Sequence, residues 1–136
     1  MNPLPQKGTA VSSMIMTVDD SPSMRMLLKA ALTDMGYNVL EAEDGVDALE
    51  RLGGACSSGK GPDLLITDIN MPRLDGFGLI EKVREQDRHR NLPILVLTTE
   101  SSDEKKQRAR SAGATGWIVK PFHPDKLAAA IRRVLH

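Results

Sequence analysis

The sequence has one cysteine, Cys56, few aromatic residues (3% of 136) and no net charge, with 18 basic residues balancing 18 acidic ones. A lone cysteine cannot close an internal disulfide, which excludes a disulfide-stapled secreted scaffold and fits a reducing cytoplasm. Cys56 lies in a Gly/Ser-rich stretch with no basic group close beside it, so it reads as a passive thiol. Charge balance removes the electrostatic case for nucleic acid or an anionic membrane surface. No apolar run approaches the roughly 20 residues of a membrane span, so insertion is not expected. The first residues, from Met1 to Gly8, lack the apolar core of a secretory signal. There is no internal repeat, and no DNA-binding motif follows the last helical segment. What remains is one domain of ordinary globular composition, 40% apolar and 26% charged.

The most informative stretch present is Leu64-Leu65-Ile66-Thr67-Asp68-Ile69-Asn70-Met71-Pro72. A short apolar run bounded by turn residues reads as a buried strand, with Asp68 at its carboxyl end. Open parallel sheets place their ligands at such ends. Alone, Asp68 would only open a turn. Three further strand candidates also end in polar residues, at Asp19-Asp20, Thr98-Thr99 and Lys120-Pro121. Together they make one chemical device. Two carboxylates ~4 Å apart repel by about 4 kcal/mol at an effective dielectric near 20. A hard divalent cation relieves that repulsion, and Mg²⁺ favours a few carboxylates plus waters and phosphate oxygens. A lysine and a hydroxyl suit the remaining phosphoryl oxygens.

Along the chain, residues 1–13 carry Pro3, Pro5 and Gly8 without periodicity and read as a disordered tail, leaving 14–136 as the domain. Met14–Val18 is the first strand. Ser21-Pro22 starts a helix with the core stripe Met24, Leu28, Ala31, Leu32 and Met35, and Gly36 stops it. Tyr37–Ala42 is a more polar strand, as at a sheet edge. The next helix, with Val46 and Leu49 inward, is expected to end near Gly53-Gly54, leaving a flexible segment to Gly61. Phe77, Ile80 and Val83 mark a third helix after Asp75-Gly76, and Pro93–Leu97 a fourth strand. Ser101 and Glu104 form a candidate capping box. The helix that follows offers only Ala109 and Ala112 as apolar residues, and Gly113 ends it. Trp117–Val119 is the fifth strand, and the last helix turns Leu127, Ala130, Ile131 and Val134 inward. Five strand–helix alternations imply an α/β fold, a parallel sheet covered on both faces.

The ordered set Asp19-Asp20, Asp68, Asn70, Met71-Pro72, Asp75-Gly76, Thr98 and Lys120-Pro121-Phe122 resembles the receiver domain of two-component response regulators, from about Met14 to His136. The resemblance implies a flavodoxin-like doubly wound (βα)5 fold with strand order 2-1-3-4-5, the order of the standard chemotaxis example. It implies that Asp68 is the phosphoacceptor, a covalent role open to carboxylates. Asp20 would bind Mg²⁺ directly, Asp19 directly or through a water, and Asp68 and the backbone carbonyl of Asn70 would complete the protein ligands, with Mn²⁺ able to substitute. Lys120 would pair with a phosphoryl oxygen, across a cis peptide to Pro121. Thr98 would donate its hydroxyl; Thr99 is the adjacent alternative, and the family pattern favours Thr98. Trp117 stands at the switch position, where receivers commonly carry Tyr or Phe. Asn70 and Glu100 occupy the positions that tune dephosphorylation.

The function implied is that of a stand-alone, monomeric, cytoplasmic regulator in chemotaxis or a phosphorelay. It would take phosphoryl from a histidine kinase or phosphotransfer protein and switch its affinity for an output protein bound on the last helix–strand–helix face. It would be no enzyme beyond its own phosphorylation and dephosphorylation. Two other classes compete. A flavodoxin-like cofactor-binding protein needs a hydroxyl- and Gly-rich phosphate loop after the first strand, where Asp19-Asp20-Ser21-Pro22 stands. An aspartyl-nucleophile phosphatase usually needs a second acid two residues past its nucleophile, where Asn70 stands.

Overall fold

The computed structural model describes residues 13–57 and 61–135, with 55–57 as backbone only. The expected tail thus lies outside the described residues except for Ser13, as do the Cys56 side chain and residues 58–60 of the expected flexible segment.

Five strands, β1 (Met14–Val18), β2 (Asn38–Ala42), β3 (Leu64–Thr67), β4 (Ile94–Thr98) and β5 (Gly116–Val119), form one parallel sheet in the order β2-β1-β3-β4-β5. Five helices connect or follow them: α1 (Pro22–Asp34), α2 (Gly45–Ser57), α3 (Gly76–Arg84), α4 (Asp103–Ala112) and α5 (Pro124–Val134). A short 3₁₀ turn, Asp87–His89, precedes β4. Alternate strand residues feed two cores. Ile15, Leu64, Ile66, Leu95 and Leu97 meet Leu28 and Leu32 of α1 and Leu127 and Ile131 of α5. Met16, Val18, Leu65, Ile94 and Val96 meet α2, α3 and Ala109 of α4. Central strands buried on both faces explain the unbroken apolar runs of β3 and β4.

Register brings the chemistry together. Val18 pairs with Ala42 and Thr67, Thr67 with Val96, and Thr98 with Val119. The residues that leave the sheet just beyond, Asp19, Asp68 and Lys120, therefore emerge at one carboxyl edge.

The helices differ in how firmly they are seated. In α1 the Ser21 hydroxyl accepts from the Met24 amide and Pro22 opens the first turn. Leu28 and Leu32 are fully buried one turn apart, each contributing roughly 1.5–3 kcal/mol. By contrast α4 fully buries only Ala109, whose methyl contributes about 0.8 kcal/mol. The Arg108 guanidinium also lies 4.1 Å from the centre of the Phe77 ring.

Two helix limits differ from the sequence reading. The second helix runs through Gly53-Gly54 to Ser57. Two glycines penalise a helix by about 1 kcal/mol each, but Ala48 and Leu52 are fully buried just before them and hold the turn in register. Leu49 packs against that core as expected, while Val46 is only half-buried. At α4 the N-cap is Ser102, whose hydroxyl accepts from the Lys105 amide, so Ser101 and Glu104 do not form the capping pair.

Candidate metal and phosphoryl site

The cleft at the carboxyl edge is built around Asp19, Asp20 and Asp68, each with a carboxylate oxygen within 4.8 Å of the others. Asp19 and Asp68 are buried and Asp20 is exposed. One cation joins them: Lys120 Nζ donates to Asp19 Oδ2 at 2.8 Å and to Asp68 Oδ2 at 2.9 Å. Burial pushes the Lys120 pKa down, but the hydrogen bonds and charges of Asp19 and Asp68 together outweigh it and raise it above the ordinary value. The peptide between Lys120 and Pro121 is cis.

Each carboxylate is oriented by backbone. The Ser21 amide donates to Asp19 Oδ1 at 2.9 Å and the Ile69 amide to Asp68 Oδ1 at 2.6 Å. The Thr67 hydroxyl donates to the Asp68 carbonyl. Gly76 explains the Asp75-Gly76 pair at the start of α3. A Cβ there would stand on the Asp68 carbonyl oxygen and 2.8 Å from Ile69 Cα. Only glycine lets α3 start this close behind the Asp68 turn.

The remaining candidates lie on the β4–β5 side. Thr98 is fully buried, and its hydroxyl accepts from the Glu100 amide at 3.4 Å, whereas Thr99 is exposed. Asn70 is exposed, and its amide Nδ2 donates to Glu100 Oε2 at 3.3 Å. Lys105 Nζ reaches the other Glu100 oxygen at 3.1 Å. Lys105, and then Asn70, hold the Glu100 carboxyl below its ordinary pKa. The Trp117 indole Nε1–H donates to the Glu100 carbonyl at 3.0 Å, and the ring packs against the α2–α4 core. Glu100 thus touches Thr98, Asn70, Lys105 and Trp117 at once, a convergence that spacing alone did not reveal.

Two arginines outside the motif also hold the loops that carry Asp19 and Asp68. Arg25 Nη1 donates to the Asp19 carbonyl at 2.6 Å. Arg73, whose φ is 68°, makes a forked pair with Asp44, Nε to Oδ2 at 2.7 Å and Nη2 to Oδ1 at 2.9 Å. Asp44 also accepts from the Asp47 amide, and the Arg73 hydrogen bond holds its carboxyl below the usual range. The turn after Asp68 is thereby tied to the start of α2. Neither arginine carried a sequence signal, because charged residues on helices and turns usually face solvent.

A five-stranded 2-1-3-4-5 sheet with three acids and a lysine at one carboxyl edge defines a class, and comparison with known proteins agrees. The chain belongs to the response regulator receiver domain family, whose model matches residues 15–132. It is 41% identical over 122 residues to chemotaxis protein CheY1 of Helicobacter pylori, covering 89% of this chain and 95% of that one. The solved structure of Vibrio cholerae chemotaxis protein CheY4 superposes with a TM-score of 0.82 at 44% identity, covering 91% of this chain and 99% of that one. The receiver domain of a Pseudomonas aeruginosa sensor histidine kinase, solved with magnesium coordinated in its active-site cleft, matches at TM-score 0.79 and 26% identity over 90% and 96% of the two chains. Among the described residues, no helix is long and apolar enough to cross a membrane.

Proposed function

We propose that this receiver accepts phosphoryl on Asp68 from a histidine kinase or phosphotransfer protein, in a reaction that needs Mg²⁺, and relays the change to an output protein. The observation that carries the reading is Lys120 spanning Asp19 and Asp68 while the Asp20 carboxylate lies within 4.8 Å of both. Three hard oxygen donors in one cleft suit Mg²⁺. Asp19, Asp20 and Asp68 would hold the ion, with the Asn70 carbonyl, and Mn²⁺ would substitute. When bound, the ion neutralises charge on the transferring phosphoryl group.

The chain's own residues do the rest. The Ile69 amide and Lys120 orient the two Asp68 oxygens. An Asp68 oxygen attacks phosphorus as the histidine N–P bond breaks, and the imidazole keeps the electron pair and takes up a proton. Lys120 then faces the phosphoryl oxygens as a compact cation, and Thr98 turns its hydroxyl from the Glu100 amide toward them. Asn70 and Glu100, bonded to each other at the cleft mouth, are polar groups able to orient the water that hydrolyses the acyl phosphate, so the phosphorylated state is short-lived. The only turnover is the protein's own phosphorylation and dephosphorylation.

Output runs through α4. Its shallow seat makes it the inexpensive element to move, and Glu100, just before it, contacts both Thr98 and Trp117. A shift at Thr98 changes where Trp117 rests and hence the α4–β5–α5 surface offered to a partner. The relatives' chemotaxis role supports a chemotaxis setting. The test is intact-mass spectrometry after incubation with acetyl phosphate. One phosphoryl group should add with Mg²⁺, none with chelator, and none to Asp68→Asn. Equal labelling of Asp68→Asn would overturn the assignment.

A further inference from the structure

The two acids that follow β1 are held very differently. The Asp19 amide donates to the Ala42 carbonyl, and its carboxylate is bonded to the Ser21 amide and Lys120. Asp20 is exposed, and among the described residues its carboxylate takes part in no hydrogen bond or ion pair. Its aim into the cleft is therefore set by the backbone. On its oxygen side the peptide unit entering Asp20 is anchored by the Arg25 Nη1 donor, 2.6 Å from the Asp19 carbonyl oxygen. Because a peptide unit is planar, fixing that oxygen fixes the direction in which the chain enters Asp20.

Arg25 is itself well held. Its side chain is only 18% exposed, and its Nε lies 3.7 Å from Glu41 Oε1 on the edge strand β2. Lys29 faces the other Glu41 oxygen at the same distance. The guanidinium thus faces the Glu41 carboxylate as an ion pair on one side while it donates to the Asp19 carbonyl on the other.

We infer that Arg25 is a positioning residue that aims Asp20 at the metal, with Glu41 as its anchor. This rests on the metal reading given above. The sign of the effect separates positioning from simple electrostatics. Arg25 is a cation near a cation site, so through-space charge alone predicts that removing it tightens Mg²⁺ binding. Positioning predicts the opposite. Loss of an outer partner that orients a ligand commonly weakens metal binding ~10-fold or more.

The test is calorimetric titration of Mg²⁺ into the full chain as wild type, Arg25→Met, Arg25→Lys and Asp20→Asn, with thermal melts in chelator to establish folding. Arg25→Met keeps the apolar stem and removes the donors; its Kd should rise ~10-fold. Arg25→Lys keeps the charge but not the planar reach, and its Kd should also rise; it decides the matter where Arg25→Met does not fold. An unchanged or lower Kd in a folded Arg25 variant overturns the inference while leaving the metal site intact. Absence of Mg²⁺ binding by wild type overturns the metal reading, and this inference with it.

Discussion

Lys120 gives the most direct handle on the energetics of the acidic cleft. In Lys120→Met two buried carboxylates lose their cation while the apolar stem stays. At 2.8 and 2.9 Å, each contact is worth about 6 kcal/mol gross at an effective dielectric near 20. Much of that offsets desolvation, and breaking a buried pair from one side typically leaves a net loss of 3–5 kcal/mol. Lys120 and Asp68 keep about a tenth of their side-chain surface in water, 11% and 10%, so the low end applies, about 3 kcal/mol. For a chain of 136 residues the unfolding entropy is about 0.3 kcal/mol/K, which makes the loss about 10 °C in Tm. The assay is thermal unfolding in chelator at neutral pH. Saturating Mg²⁺ should narrow the gap, because a divalent ion replaces the missing charge and stabilises the form that binds it. The raised pKa of Lys120 fixes the pH behaviour. Its contribution is fully present below the unfolded-chain value of 10.5 and is lost only as pH rises through the higher folded value. The gap should therefore hold from neutral pH up to 10.5. Equal Tm values in chelator would refute the view that Lys120 neutralises Asp19 and Asp68.

Three further outcomes follow from other parts of the molecule. Asp44→Asn should destabilise the protein at neutral pH, and the difference should vanish in acid. The folded pKa of Asp44 lies below 3.8, so its contribution is present above that value and lost as pH falls through the folded one; urea titrations at several pH values check this. Gly76→Ala should lower stability by ~2 kcal/mol or more, since the new methyl meets backbone that cannot yield, and should slow acetyl phosphate labelling by displacing the Asp68 turn. Beryllofluoride with Mg²⁺ should change the emission of Trp117, the lone tryptophan, beyond the effect of Mg²⁺ alone; unchanged emission with proven binding would remove Trp117 as the switch.

The layout was legible because parallel sheets impose simple rules on a chain. Apolar runs such as Leu64–Thr67 and Ile94–Thr98 had to be buried on both faces, and their polar ends had to meet at one edge. That sufficed to bring Asp19, Asp20, Asp68 and Lys120 together. Helix ends were less legible, because local chemistry competes with packing. Gly53-Gly54 looked like a stop, yet Ala48 and Leu52 carry α2 past them. The Ser101–Glu104 spacing pointed to a capping box, yet the helix starts one residue later and Ser102 caps it. Arg25, Arg73 and Asp44 were invisible for a different reason. Their contacts are to a backbone carbonyl or between elements remote in sequence, and a charged residue on an exposed-looking face announces neither.

The central claim is that phosphoryl resides on the Asp68 side chain. An acyl phosphate is reduced by borohydride to the alcohol, which converts the labelled aspartate to homoserine and marks it permanently. After acetyl phosphate and Mg²⁺, borohydride treatment and peptide mass spectrometry should find homoserine at position 68, with Asp19 and Asp20 unchanged. Homoserine at position 19 or 20, or labelled protein with no homoserine at 68, would contradict the account.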